Sequence, residues 1–84
     1  MDKNSAIVTF EMVKRGKIVD IEIPLDISAD DFVKALNEAY FLRIDTRNPK
    51  NCYMQAENPV ALLKGNRTLK EFGLHHGSVI RFTE

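Results

Sequence analysis

The 84 residues carry 12 Lys+Arg against 12 Asp+Glu, for a formal net charge of zero. A chain of that size buries only about 60–65% of the surface its unfolded form exposes, enough for one modest core but not for a deep active-site pocket as well. The balanced charge gives no general pull toward phosphate backbones or anionic lipid, so a nucleic-acid partner is not expected, and the single Cys52 cannot form an internal disulfide.

The expectation is therefore one domain over residues 1–84, held together by packing in a reducing cytoplasm. Its start, MDKNSAIVTFEMVKRG, is polar and then alternates. That is neither a signal sequence nor a long apolar span, so no direct membrane insertion is expected. From Ala6 to Val13, the residues Ala6, Val8, Phe10 and Met12 alternate with Ile7, Thr9, Glu11 and Val13, the period of a half-buried strand. Arg15-Gly16 turns the chain. Lys17 to Ile23 alternates again, with Val19, Ile21 and Ile23 opposing Ile18, Asp20 and Glu22, so the two segments make a hairpin.

Pro24 lacks the donor to continue a strand. Ser28-Ala29-Asp30-Asp31 has the Ser-x-x-Asp form of a helix cap. Phe32, Leu36 and Tyr40, flanked by Ala29, Val33 and Ala39, give an apolar face to a helix from about Ala29 to Phe41, leaving Lys34, Asn37 and Glu38 outward. LRIDTRNPKN loses the period and reads as a loop, with Leu42 and Ile44 tucked against the helix end and Arg43, Arg47 and Lys50 forming a basic cluster. Short strands are expected near Cys52 to Ala56 and Ala61 to Leu63. RTLKEFGL reads as a compact turn or a single helical turn, with Leu69, Phe72 and Leu74 as apolar pegs. Gly77 introduces a last strand, Ser78 to Phe82, with Ile80 and Phe82 inward and Val79 and Arg81 outward. The order β-β-α-β-β-turn-β is that of an α+β domain, one sheet on one main helix.

That order, with TLKEFGL shortly before a strand that starts after Gly77, resembles the ubiquitin-like β-grasp fold over nearly the whole chain. The resemblance implies a mixed sheet of four to five strands, with the first and last parallel at its centre and Val8, Phe10, Ile80 and Phe82 under Phe32 and Leu36. Within the superfamily the chain is similar to the YukD/EsaB-like group, ubiquitin-fold accessory proteins of type VII secretion in Gram-positive bacteria. The opening hairpin, Tyr53 at the third strand and LLKGNRTLKEFGLHHGSVIRF carry this likeness. It implies a non-enzymatic adaptor that docks on a cytoplasmic part of the secretion apparatus, with a membrane-anchored component as the expected partner.

Ubiquitin and the sulfur carriers of the same fold act through a flexible Gly-Gly tail, unhindered enough to thread into an activating enzyme. Here the sequence reads Arg81-Phe82-Thr83-Glu84, so no conjugation is expected. Two other readings stay open: a small regulatory or structural subunit of an oligomeric enzyme, and a sulfur carrier or modifier whose tail lies beyond Glu84.

No residue pattern calls for catalysis, a metal or a cofactor. His75 and His76 are adjacent in a turn and have no carboxylate or cysteine near them in sequence. Cys52 has neither a base nor an oxyanion donor implied by its neighbours. Asp30/Asp31 suit a helix N-terminus, and Glu57 and Glu71 have no reason to converge. The outer sheet face is the candidate surface: Ile7 and Thr9 beside Val79 and Arg81, and these beside Tyr53 and Gln55, with Tyr53 as the anchor among Ile7, Val79 and Arg81. The basic loop at Arg43, Arg47 and Lys50 is a second candidate.

Overall fold

The two alternating segments pair as β1, Ser5–Met12, and β2, Lys17–Pro24, antiparallel from Ser5 opposite Pro24 to Met12 opposite Lys17, in a computed structural model that describes residues 4–83. A 3-10 turn at Val13–Arg15 joins them, closed by Gly16 at φ +63°, where a Cβ is disfavoured. Ser28 stays extended and its Oγ accepts the Asp31 N–H at 3.1 Å, which starts α1, Ala29–Tyr40. Asp30 and Asp31 lie in its first turn, favourable to the helix dipole.

The helix stops one residue short of the expected end. Phe41 takes the left-handed conformation, φ +53°, and closes it. The Arg15 guanidinium donates to the carbonyl oxygens of Tyr40 and Phe41, at 2.6 Å each. This places a cation on the negative end of the helix dipole.

After a 3-10 turn at Pro49–Asn51 come β3, Met54–Glu57, β4, Ala61–Leu63, and β5, Val79–Phe82. The third strand begins at Met54 rather than Cys52, because β4 offers only three residues to pair and Leu63 stands opposite Met54. The sheet order is β2-β1-β5-β3-β4, with β1 and β5 parallel and every other neighbouring pair antiparallel. This is the mixed, five-stranded α+β arrangement expected.

One face of the sheet buries Val8, Phe10, Met54, Leu63 and Ile80 against Phe32, Val33 and Leu36 of the helix. Phe10 and Tyr40 meet with ring centroids 5.3 Å apart. Phe82 is only half-buried, at the margin of this core. The RTLKEFGL segment is a turn that borrows a helix cap: Thr68 N donates to Glu71 Oε1 and Glu71 N to Thr68 Oγ1, both at 3.2 Å, so that Leu69 and Leu74 plug the open end of the core. Ser78, polar and fully buried, is satisfied by donating to the Asn58 carbonyl at 2.7 Å and accepting from His75 N at 3.0 Å.

Candidate functional site: the outer sheet face and the Tyr53 groove

The alternation that buries Val8, Phe10, Met54, Ala56 and Ile80 sends Thr9, Glu11, Gln55, Glu57, Val79 and Arg81 to the opposite face. Register then sets their neighbours. Thr9 lies opposite Val79, and Val79 opposite Glu57; Arg81 lies between Glu11 and Gln55. The Arg81 guanidinium is engaged on both sides, Nε to Glu11 Oε1 at 2.8 Å and an Nη to Glu57 Oε1 at 2.6 Å. Arg81 faces outward as its period implies, and there it is a cross-strand tie between two carboxylates. Neither carboxylate stands out in sequence, since only strand register brings Glu11 and Glu57 to Arg81.

The six residues of the candidate face do not form one cluster. Ile7 accepts from Gly77 N at 3.1 Å and its own N–H donates to His76 Nδ1 at 3.0 Å, which places it level with Gly77. Continuing the β3–β5 register puts Tyr53 level with Thr83. At about 3.3 Å per residue the two lie roughly 20 Å apart along β5. Thr9, Val79, Arg81 and Gln55 form the middle of the face, Tyr53 one end and Ile7 the other.

Tyr53 stands just before β3, 43% exposed, on the rim of an open groove of about 390 Å³ lined by Leu42, Ile44, Tyr53, Gln55, Arg81 and Phe82 among others. Its far wall is the loop after the helix, pinned by Asn37: the side-chain amide donates to Ile44 O at 3.2 Å and accepts from Ile44 N at 2.9 Å. Asn37 therefore turns toward the loop and not to solvent as the helical period suggested. Tyr53 also borders a smaller concavity of about 240 Å³ with Lys50, Leu62 and Lys64. The basic loop divides: Arg47 is paired with Asp45, Nε to Oδ1 at 3.2 Å, while Arg43 lines the groove and Lys50 the concavity.

The groups with catalytic potential are dispersed. His75 Nδ1 contacts His76 O at 2.8 Å, and Glu71 is held by Thr68 and Arg67, away from Glu57 on Arg81. Cys52 is buried, its thiol 4.0 Å from the Asp30 carbonyl oxygen. Burial pushes its pKa up, and the Asp30 carboxylate adds to that against a smaller opposing effect of Lys34. A protonated thiol is a poor nucleophile. Among the described residues no group of three or more His, Cys, Asp or Glu side chains is placed to hold a metal, and no helix is long and apolar enough to cross a membrane.

A five-stranded mixed sheet with a central parallel pair, curled around one helix, defines a ubiquitin-like β-grasp protein. Solved structures agree. The chain is similar to a de novo design based on ubiquitin, with a TM-score of 0.64 at 12% identity over 95% of this chain and 88% of that one. It is similar to the ubiquitin-like domain of Plasmodium falciparum Dsk2, with a TM-score of 0.59 at 19% identity over 92% and 96%. The C-terminal ubiquitin-like domain of mouse tubulin-specific chaperone e gives 0.66 at 9% identity over 100% and 93%. No curated protein matches the sequence. The sequence profile of the family described as WXG100 protein secretion system (Wss), protein YukD, matches residues 6–81, and the chain belongs to that family. It is a secretion-associated ubiquitin-like protein.

Proposed function

We propose that this chain is a non-enzymatic cytoplasmic adaptor of the WXG100 secretion system, docking through the outer face of its sheet on a cytoplasmic part of a membrane-anchored component. The observation that carries the reading is the uncovered face itself. The helix protects one side of the sheet, while the other presents Thr9, Val79, Gln55 and a rigidly held Arg81, ending at the exposed ring of Tyr53. A flat face with an aromatic anchor and polar margins is the make-up of a protein interface, and membership of a secretion family directs it to that apparatus.

Absence of conjugation belongs to the same reading. Phe82 packs against the core and β5 is paired on both sides, so the residues up to Phe82 are held in the sheet and do not themselves serve as a flexible tail. Intact mass of the native protein tests this part: mass beyond Glu84 that includes a Gly-Gly end overturns it.

The docking part is tested by capture from detergent-solubilised native membranes with wild type and Tyr53→Glu, both shown to be folded by circular dichroism. Wild type is expected to recover a membrane component of the secretion system and the variant to lose it. Recovery of only soluble enzyme subunits transfers the protein to the regulatory-subunit class.

A further inference from the structure

Charge is balanced over the chain but not around Tyr53. Tyr53 and Leu62 are each 43% exposed, and Leu62, opposite Gln55 in the β3–β4 register, stands on the same outer face. Lys50 and Lys64 line a concavity with them, and Arg43 lies in the wall of the larger groove that Tyr53 also lines. Among the described residues no carboxylate pairs with Arg43, Lys50 or Lys64. The carboxylate in the groove wall, Asp45, is taken by Arg47.

We infer that the Tyr53 ridge is a receptor for an acidic linear segment of a partner protein, one apolar side chain seated beside Tyr53 and Leu62 and flanking Asp or Glu side chains on Arg43, Lys50 and Lys64. This rests on the docking reading above and gives the partner its chemistry. Two concavities that share the Tyr53 ring offer places for a side chain to enter, and the three cations that line them favour acidic over basic neighbours. The sequence separates these residues into a loop, a strand start and a turn, so only the fold assembles them. A nucleic acid fits less well, because backbone binding is built on many phosphate contacts along a basic track, and here three cations surround an apolar ridge.

The test is selection of a random linear peptide library, displayed on phage, against wild type and the double variant Lys50→Glu/Lys64→Glu. Both substitutions are on exposed side chains, and circular dichroism checks that the fold is retained. Wild type is expected to enrich peptides with Asp and Glu around a Leu or an aromatic. The variant is expected to bind those peptides about tenfold more weakly and to enrich Lys and Arg in their place. Amide shifts on adding a selected peptide are expected at Tyr53, Leu62, Lys64 and the loop around Arg43, and binding weakens as salt is raised. Enrichment of neutral or basic peptides, no enrichment, or shifts confined to other surfaces overturns the inference. So does tighter binding of single-stranded DNA or anionic vesicles at the same residues. Capture of the membrane component unchanged by Lys50→Glu/Lys64→Glu sinks this inference and leaves the adaptor standing. Acidic-peptide binding without any secretion component captured sinks the adaptor and leaves the receptor standing.

Discussion

The side-chain amide of Asn37 holds the backbone of Ile44 from both sides, donating to its carbonyl oxygen and accepting from its N–H. A helical side chain thereby takes the place of a strand and supplies the loop with its missing hydrogen bonds. Asn37→Ala removes both and leaves a partly buried N–H and C=O unpaired, which costs about 1–3 kcal/mol. Urea unfolding measures that loss, and faster amide exchange at Ile44 locates it. Asn37→Asp keeps the acceptor and loses the donor, so its stability falls between the two; equality with wild type removes the bridge from the account.

Phe41 combines two unfavourable features: left-handed backbone and a largely solvent-exposed ring, 78% accessible. A non-glycine residue in that region costs about 1 kcal/mol, and so exposed a ring returns little of it by burial. Phe41→Gly is expected to raise the thermal midpoint or leave it unchanged, despite the loss of an aromatic side chain. A clear fall in stability shows instead that the ring packs.

Arg81 sits between two carboxylates in a part-exposed setting, so its contribution is modest. Arg81→Ala leaves Glu11 and Glu57 facing the same gap with no cation, and a loss of about 1 kcal/mol is expected at low salt, shrinking as salt is raised. Chemical denaturation by urea at two ionic strengths reads both effects. A loss independent of salt assigns Arg81 to packing through its aliphatic stem.

Cys52 gives the fold a pH dependence whose sign follows from its raised pKa. The folded chain holds the thiol proton more tightly than the unfolded chain does. Its contribution to stability is therefore full below about pH 8.5, where an unfolded thiol ionises, and is lost as pH rises through the folded value. Wild type should lose stability more steeply than Cys52→Ala over that alkaline range, and its thiol should react with a disulfide reagent more slowly in the folded than in the unfolded chain. Equal slopes for the two proteins contradict the assignment.

Which features were legible in the sequence follows the range of the interactions that produce them. The alternation of Ala6, Val8, Phe10 and Met12, the Ser28 cap and the four-residue steps of Phe32, Leu36 and Tyr40 are local, and each became the element it implied. The sheet order followed from likeness to a known fold. Contacts that depend on meeting a distant partner were not legible. Asn37 has a helical neighbourhood that says outward, and only the path of the loop turns it toward Ile44. The period of β5 turns Arg81 outward, and only register supplies Glu11 and Glu57. Tyr53 falls on the outer face that its period implies, but that Leu62 and Lys64 stand beside it was not legible, because β4 is three residues long and its alternation too short to show a face.

The position of β5 between β1 and β3 governs when the protein can come into being. Until Val79–Phe82 has left the ribosome, the β1–β2 and β3–β4 hairpins have no strand to join them. A two-stranded hairpin is marginal by itself in water, and contacts this distant in sequence form late and slowly. A chain cut before Val79 is expected to be open to proteolysis, which limited digestion of that fragment beside the full chain measures. Pairing of the two hairpins into one sheet thus waits for translation through residue 82.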